Sequence, residues 1–233
     1  MALVQWVVVI LLGIAVVAVV APLKKKAKTA DLAEALNNIQ QIGGMLAEFD
    51  TDYGRFPDDE TALEVKRRTK TGFTLTGEYS NDYFRQLLAD GRGRSERPFW
   101  CETPLSPTRP LDDFSTAARA LAAGEVGFSY IMASRTRGQS SKDDPRRTVV
   151  IAPSYRFQTD WTFDPKPYGG KAVALRVDNS ATALQIRDDP KGGRHRKVMI
   201  DADRTLGDMG ANTAWGTGMN PWMRAPLPAP ISP

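Results

Sequence analysis

MALVQWVVVILLGIAVVAVVAPL, residues 1–23, is the stretch on which the reading of this chain turns, because Gln5 is its only strongly polar side chain and it carries no charge. At 1.5 Å per residue such a helix extends roughly 34 Å, enough to cross a hydrocarbon core of about 30 Å. The sequence therefore predicts that residues 1–23 form the transmembrane half of an N-terminal helix. No Lys or Arg precedes the apolar run, and Pro22 follows the small residue Ala21, so the segment is expected to persist as an anchor rather than be cleaved. Lys24, Lys25, Lys26 and Lys28 come directly after it. By the positive-inside rule they place the C-terminal side in the cytoplasm, against an extracytoplasmic head, unless a basic leader had preceded Met1.

Residues 24–50 read as the amphipathic half of the same helix. Leu32, Ala35, Ile39, Ile42, Leu46 and Phe49 recur at steps of three and four, which marks one apolar stripe in need of a partner surface. Asp31, Glu34, Asn38, Gln41 and Glu48 fall off the stripe and are expected to meet water. Gly43 and Gly44 interrupt good helix formers at a cost of about 1 kcal/mol each relative to Ala. Close packing of a sheet on the helix is the plainer explanation, and a weak point that bends during assembly is the other. DTDYGRFPDD, residues 50–59, supplies the Asp, Gly and Pro that end a helix, so the stop is expected near Phe49 or Asp50. Helical from Met1 to Phe49, the stalk would be roughly 73 Å long.

The remainder reads as one α+β head, residues 51–219, and a proline-rich tail, residues 220–233. After a charged, irregular stretch, short helices are expected over 82–88 and 116–123, the second stopped by Gly124. Residues 126–133, 148–152, 171–177 and 183–186 are strand-length apolar runs, with a hairpin at Asp178, Asn179 and Ser180. Short sequential links favour an antiparallel sheet whose apolar face covers the helix stripe. The predicted fold is thus a long transmembrane and amphipathic N-terminal helix packed on an antiparallel head. The tail is either strapped over the head through Trp222 or disordered.

The 31 Lys and Arg against 27 Asp and Glu give a formal charge of +4, and the four lysines after residue 23 account for all of it. A balanced head argues against a nucleic-acid binder, which needs a basic face to replace phosphate counterions. One cysteine, Cys101, and one histidine, His195, exclude an intrachain disulfide framework and the usual zinc clusters. Nothing in the sequence brings these two together as a nucleophile and base, Cys101 reads as a buried small apolar residue, and no catalytic or cofactor site is expected. Asp201, Asp203 and Asp208 in DADRTLGDMG offer oxygens that could converge on calcium, but the spacing is not that of an EF-hand and Arg204 sits inside it. A solvated turn is the preferred reading, and no metal is expected.

NNIQQIGGMLAEFDTDYGRFP, residues 37–57, resembles the N-x-x-x-Q-I-G-x-x-L…Y-x-x-D-x-G-x-Y/F-P pattern of type IV pilins and type II secretion pseudopilins. SNDYFRQLL, residues 80–88, and ERPFWC, residues 96–101, are similar to a recurring segment of the large-headed members. The resemblance implies a structural subunit of a pilus-like or pseudopilus-like filament, assembled through its N-terminal helix. It implies partners among its own copies, other pilin-like subunits, membrane lipid and an assembly machinery, and a single-pass inner-membrane location with a periplasmic or extracellular head. The family places a glutamate where this chain has Gln5, so the ion pair with a neighbouring N-terminal amine is lost. The alternative is an anchored binding module with the same head that does not polymerise.

Overall fold

The computed structural model describes residues 2–155, 161–192 and 196–230, with side chains in the first helix described from residue 26 onward. Three α-helices, α1 (Ala2–Tyr53), α2 (Asp59–Thr69) and α3 (Ser80–Ala89), precede one 3₁₀ turn at Arg97–Phe99. Six strands follow: β1 (Ser129–Met132), β2 (Thr148–Ala152), β3 (Lys171–Arg176), β4 (Ala181–Asp188), β5 (Arg196–Val198) and β6 (Trp222–Arg224). They form one sheet in the order β5-β4-β3-β2-β1-β6, and every neighbouring pair is antiparallel.

Two expectations from the N-terminal stretch are corrected. No helix among the described residues is long and apolar enough to cross a membrane, which overturns the transmembrane-plus-amphipathic helix of the predicted fold and the single-pass inner-membrane location derived from it. The physical reason lies in the described side chains of α1. Lys26, Lys28, Asp31 and Glu34 charge its first described turns, and the apolar residues that follow are spent on the protein's own core. The readings placed on the side chains of residues 1–23, Gln5 included, lie outside the described residues.

From Leu32 onward the stripe does find a sheet. Ala35, Ile39, Ile42, Leu46 and Phe49 are buried against Val173, Leu175 and Val177, and α3 adds Tyr83, Phe84 and Leu87 beside Phe99 and Tyr130. Each large apolar side chain so buried contributes about 1.5–3 kcal/mol relative to exposure. Asn38, expected to face water, is buried instead. Its Nδ2 donates to the Trp100 carbonyl at 2.9 Å and the Arg97 carbonyl at 3.4 Å, so the 3₁₀ turn is tied to α1.

The sheet is covered on its other face as well. Successive strand residues point to opposite sides, and Ile131, Ile151, Ala172 and Ala174 join Phe163, Val198, Leu206 and Trp215 in a second core. A sequence reading with one apolar face missed this. Its sign was the unbroken apolarity of TVVIA and KAVAL, which fits strands buried on both faces.

Other local readings also change. The stretch after Pro57 is α2, whose start is set by Asp58: its Oδ1 accepts from the Thr61 N–H at 2.8 Å while Thr61 Oγ1 accepts from the Asp58 N–H at 2.7 Å. Asp59 and Glu60 in its first turn and Lys66, Arg67 and Arg68 in its last suit the helix dipole. Residues 116–123 form turns rather than a helix. The tail is strapped down: β6 pairs with β1, the Gly124 N–H donates to the Leu227 carbonyl, and Asn81 Oδ1 accepts from the Leu227 N–H. Trp222 lies beneath the guanidinium groups of Arg135 and Arg224, at 5.4 and 5.8 Å.

The two helix glycines separate cleanly. A Cβ on Gly43 would lie 2.0 Å from Asn179 Oδ1 and 2.9 Å from Leu175 Cδ1, whereas one on Gly44 would meet nothing within 4 Å. Gly43 is thus the point where the β3–β4 turn rests on α1, with Asn179 in the left-handed region at φ 64°. Gly43→Ala is expected to lower unfolding free energy by about 1–3 kcal/mol through overpacking. Gly44→Ala should raise it by about 0.5–1 kcal/mol. Urea denaturation of both variants beside the wild type checks the pair.

Candidate functional site

The register of β2 and β3 sets up a concavity at one end of the sheet. Thr148 stands opposite Arg176, and the register then shifts so that Val150 pairs with Leu175. Cross-strand partners present their side chains on the same face about 5 Å apart. Here that is the face of the second core, because Arg176 follows Ala172 and Ala174 at the two-residue period.

The segment after β5 returns over this end of the sheet and closes the site. Leu206 N–H bonds to the Val198 carbonyl, Ile200 N–H to the Arg204 carbonyl, and Trp215 Nε1 donates to the Leu206 carbonyl at 3.1 Å. Arg147 holds the far side, with Nε donating to the Ala214 carbonyl at 2.9 Å and its guanidinium 5.7 Å from the Trp215 ring centre. What remains open is a cleft of about 220 Å³ with Thr148, Leu206 and Trp215 on its walls and the guanidinium-bearing side chains of Arg146, Arg176 and Arg204 around it.

The three arginines differ in what neutralises them. Arg146 grips Asp144 through two bonds, at 3.0 and 2.7 Å, and the guanidinium holds that carboxyl below its usual range. Arg204 pairs with Asp201, depressing it likewise, and also reaches the Asn212 carbonyl at 2.8 Å. Among the described residues the Arg176 side chain makes no ion pair or hydrogen bond. Its charge is felt at Asp178, whose carboxyl is lowered first by bonds from Ser180 and then by Arg176. Thr148 is 1% exposed, and its Oγ1 has no hydrogen-bond partner. A buried hydroxyl left without a partner costs about 1–3 kcal/mol.

The residues singled out from the sequence are placed differently. Asp201 and Asp208 lie in the returning segment, each already engaged by a cation: Asp201 by Arg204 and Asp208 by Lys191 at 2.5 Å. Asp201 Oδ1 also accepts from the N–H groups of Asp203 and Arg204, and Asp208 Oδ2 from that of Thr205 at 2.8 Å. Burial pushes Asp208 up, but the bonds from Lys191 and Thr205 outweigh it and the net shift is downward. Among the described residues no group of three or more His, Cys, Asp or Glu is arranged to hold a metal ion. These aspartates fold the loop that walls the cleft.

Cys101 is fully enclosed against Gly127 and Tyr168, and burial pushes its thiol up to about 12 although the neighbouring Tyr168 hydroxyl opposes the shift. At neutral pH it is a neutral, shielded thiol rather than a nucleophile. His195 lies outside the described residues. The sequence reading missed Thr148, Arg176 and Trp215 altogether, because their meeting depends on a strand register and on a loop that returns from far along the chain.

The fold and the cleft define an α+β protein with a doubly covered antiparallel sheet and one basic, partly apolar recess at the sheet's end. Compared with known proteins, the chain matches no family model, no curated protein and no solved structure. The likeness to pilins and pseudopilins therefore rests on the quoted residues alone.

Two outcomes test the site residues. Asp208→Asn should cost about 1 kcal/mol at neutral pH through its lost partners. Because the folded carboxyl is depressed, its contribution is present above the unfolded value near 4 and is lost as pH falls through the folded one. The difference between wild type and variant should therefore vanish at low pH in paired denaturation curves. Cys101 should resist iodoacetamide in the native protein at neutral pH and react only when the chain is unfolded in urea, as read by intact mass.

Proposed function

We propose that this chain is a structural subunit that assembles through α1 into a filament of the type IV pilus or type II secretion pseudopilus kind, and that it is not an enzyme. The observation that carries the reading is how α1 divides. Ala35, Ile39, Ile42, Met45, Leu46 and Phe49 are buried in the head, while residues 26–30 are all exposed. Before them, residues 2–23 are uncharged and, Gln5 apart, apolar in sequence. An apolar helical segment of that length gains from burial against like segments. The meeting of the two family-like stretches supports the same reading, since Asn38 in the first reaches the carbonyls of Arg97 and Trp100 in the second.

A binding module that does not polymerise is the second reading, and the basic cleft favours it. Assembly of the full chain separates the two. Electron microscopy and sedimentation velocity should show elongated polymers, and Val8→Lys should abolish them without moving the head's thermal midpoint. Gln5→Glu should favour assembly by restoring a carboxylate for a neighbouring amine. A chain that stays monomeric across concentration, or polymers indifferent to Val8→Lys, would sink the filament reading.

A further inference from the structure

The cleft at the end of the sheet is built from parts that the fold itself does not use. Thr148 carries a buried hydroxyl with no partner, and Arg176, directly opposite it, carries a charge that no carboxylate among the described residues pairs. A buried polar atom left without a partner is costly, and in a native protein it calls for an explanation. The two side chains share one face and both line a recess together with Trp215 and Leu206, Thr148 deep in it at 1% exposure. We infer that this recess binds a small organic monocarboxylate, its carboxylate received by Arg176 and Thr148 and its apolar body laid against Trp215.

Charge and size select the class. Arg146 and Arg204 are each committed to an aspartate and the lining Asp208 to Lys191, so Arg176, which acts on Asp178 without a bond to it, is the cation of the recess that no bonded anion among the described residues occupies. One charge matches a carboxylate better than a phosphate dianion. A guanidinium presents a planar fork suited to two parallel bonds with carboxylate oxygens. The Thr148 hydroxyl can donate to either oxygen, and doing so removes its own desolvation cost in the bound state only. A volume of about 220 Å³ lies below that of pockets that enclose drug-sized ligands, so the ligand is an acid with a single small ring or a short branched chain. This holds whether or not the subunits polymerise. The same chemistry is offered by a free acid and by the C-terminal residue of a peptide.

The test uses the full chain with 3-phenylpropionate, its neutral amide, inorganic phosphate, and the tripeptide Gly-Gly-Phe as free acid and as amide, read by isothermal titration and by two-dimensional NMR. Saturable binding of a carboxylate is expected with a dissociation constant on the order of 0.1–1 mM, given the modest yield per atom of small ligands. The amides and phosphate should bind about tenfold more weakly or not at all. If the tripeptide acid binds, the recess reads chain termini, and if only phenylpropionate binds it takes free acids; either upholds the carboxylate site. Arg176→Gln should weaken binding about tenfold with an unchanged thermal midpoint. Thr148→Val is the sharper variant. It removes the unpartnered hydroxyl, so it should leave the free protein as stable or more so while weakening the ligand several-fold. A purely structural threonine would show no effect on binding. Absence of saturable binding by both acids, equal binding of acid and amide, or binding unmoved by Arg176→Gln would overturn the proposal.

Discussion

The sheet's central strands, β2 and β3, have no exposed face, and the need to cover both sides at once organises the rest of the molecule. On one side the cover is a helix. Residues of α1 from Ala35 to Phe49 fill the groove over β3 and β4, and α3 extends the cover toward β1. On the other side the cover is irregular chain, the returning segment that brings Leu206 and Trp215 over Ala172, Ala174 and Ile151. The two covers are unequal. The helical side buries most of the large side chains, each contributing about 1.5–3 kcal/mol, whereas the loop side rests on a few apolar contacts and on turns fastened by Asp201 and Asp208. A regular helix packs its side closed, and an irregular loop leaves a recess.

The helical side also holds a set of buried polar groups joined in a network. Gln86 is fully buried, donates to the carbonyls of Asp58 and Leu75, and accepts from Thr61 Oγ1, so the start of α2 is pinned to α3. Tyr130 donates to the Pro57 carbonyl at 2.8 Å from the middle of β1. Asp82 and Arg85 meet at 2.7 Å, and Arg85 also reaches the carbonyls of Ala120 and Leu121. Burial pushes the Asp82 carboxyl up and the Arg85 guanidinium down, both toward neutrality, so the pair adds less stability than its geometry suggests. Its effect is positional: it fixes the turns of residues 116–123 against α3 without a helix there. On the other face Thr148 and Thr182 both carry a buried hydroxyl without a hydrogen-bond partner, and of the two only Thr148 lines the cleft.

What was legible in the sequence followed from period. The stripe from Leu32 to Phe49 and the apolar runs of β1 to β4 repeat at spacings that only a helix or a strand satisfies. Missed elements were of two kinds. For α2 the signals were present, in the reciprocal cap of Asp58 and Thr61 and the charge gradient of DETALEVKRRT, but they were outweighed by the polar composition. For the cleft no local signal existed. Thr148 and Arg176 are brought opposite each other by β2–β3 pairing, and Trp215 arrives over them through turns that begin after β5. Asn38 shows the limit of amphipathic logic, because a residue off the stripe is still buried when a second element, the 3₁₀ turn, docks on that flank.

The membrane expectation failed for a related reason. Apolarity along residues 1–23 suggests lipid, but apolar surface demands only removal from water and does not specify what removes it. Farther along the same helix the stripe is covered by a sheet, and the choice is enforced by specific fits: Gly43 admits the Asn179 turn, and Arg109 both pairs with Glu34 and lies 4.5 Å from the Trp100 ring centre. These contacts begin only at about residue 31, where the exposed run of residues 26–30 ends. None of residues 26–30 is buried in the head's core. The fit of α1 on the sheet is thus set by residues 31–53 and the elements packed on them.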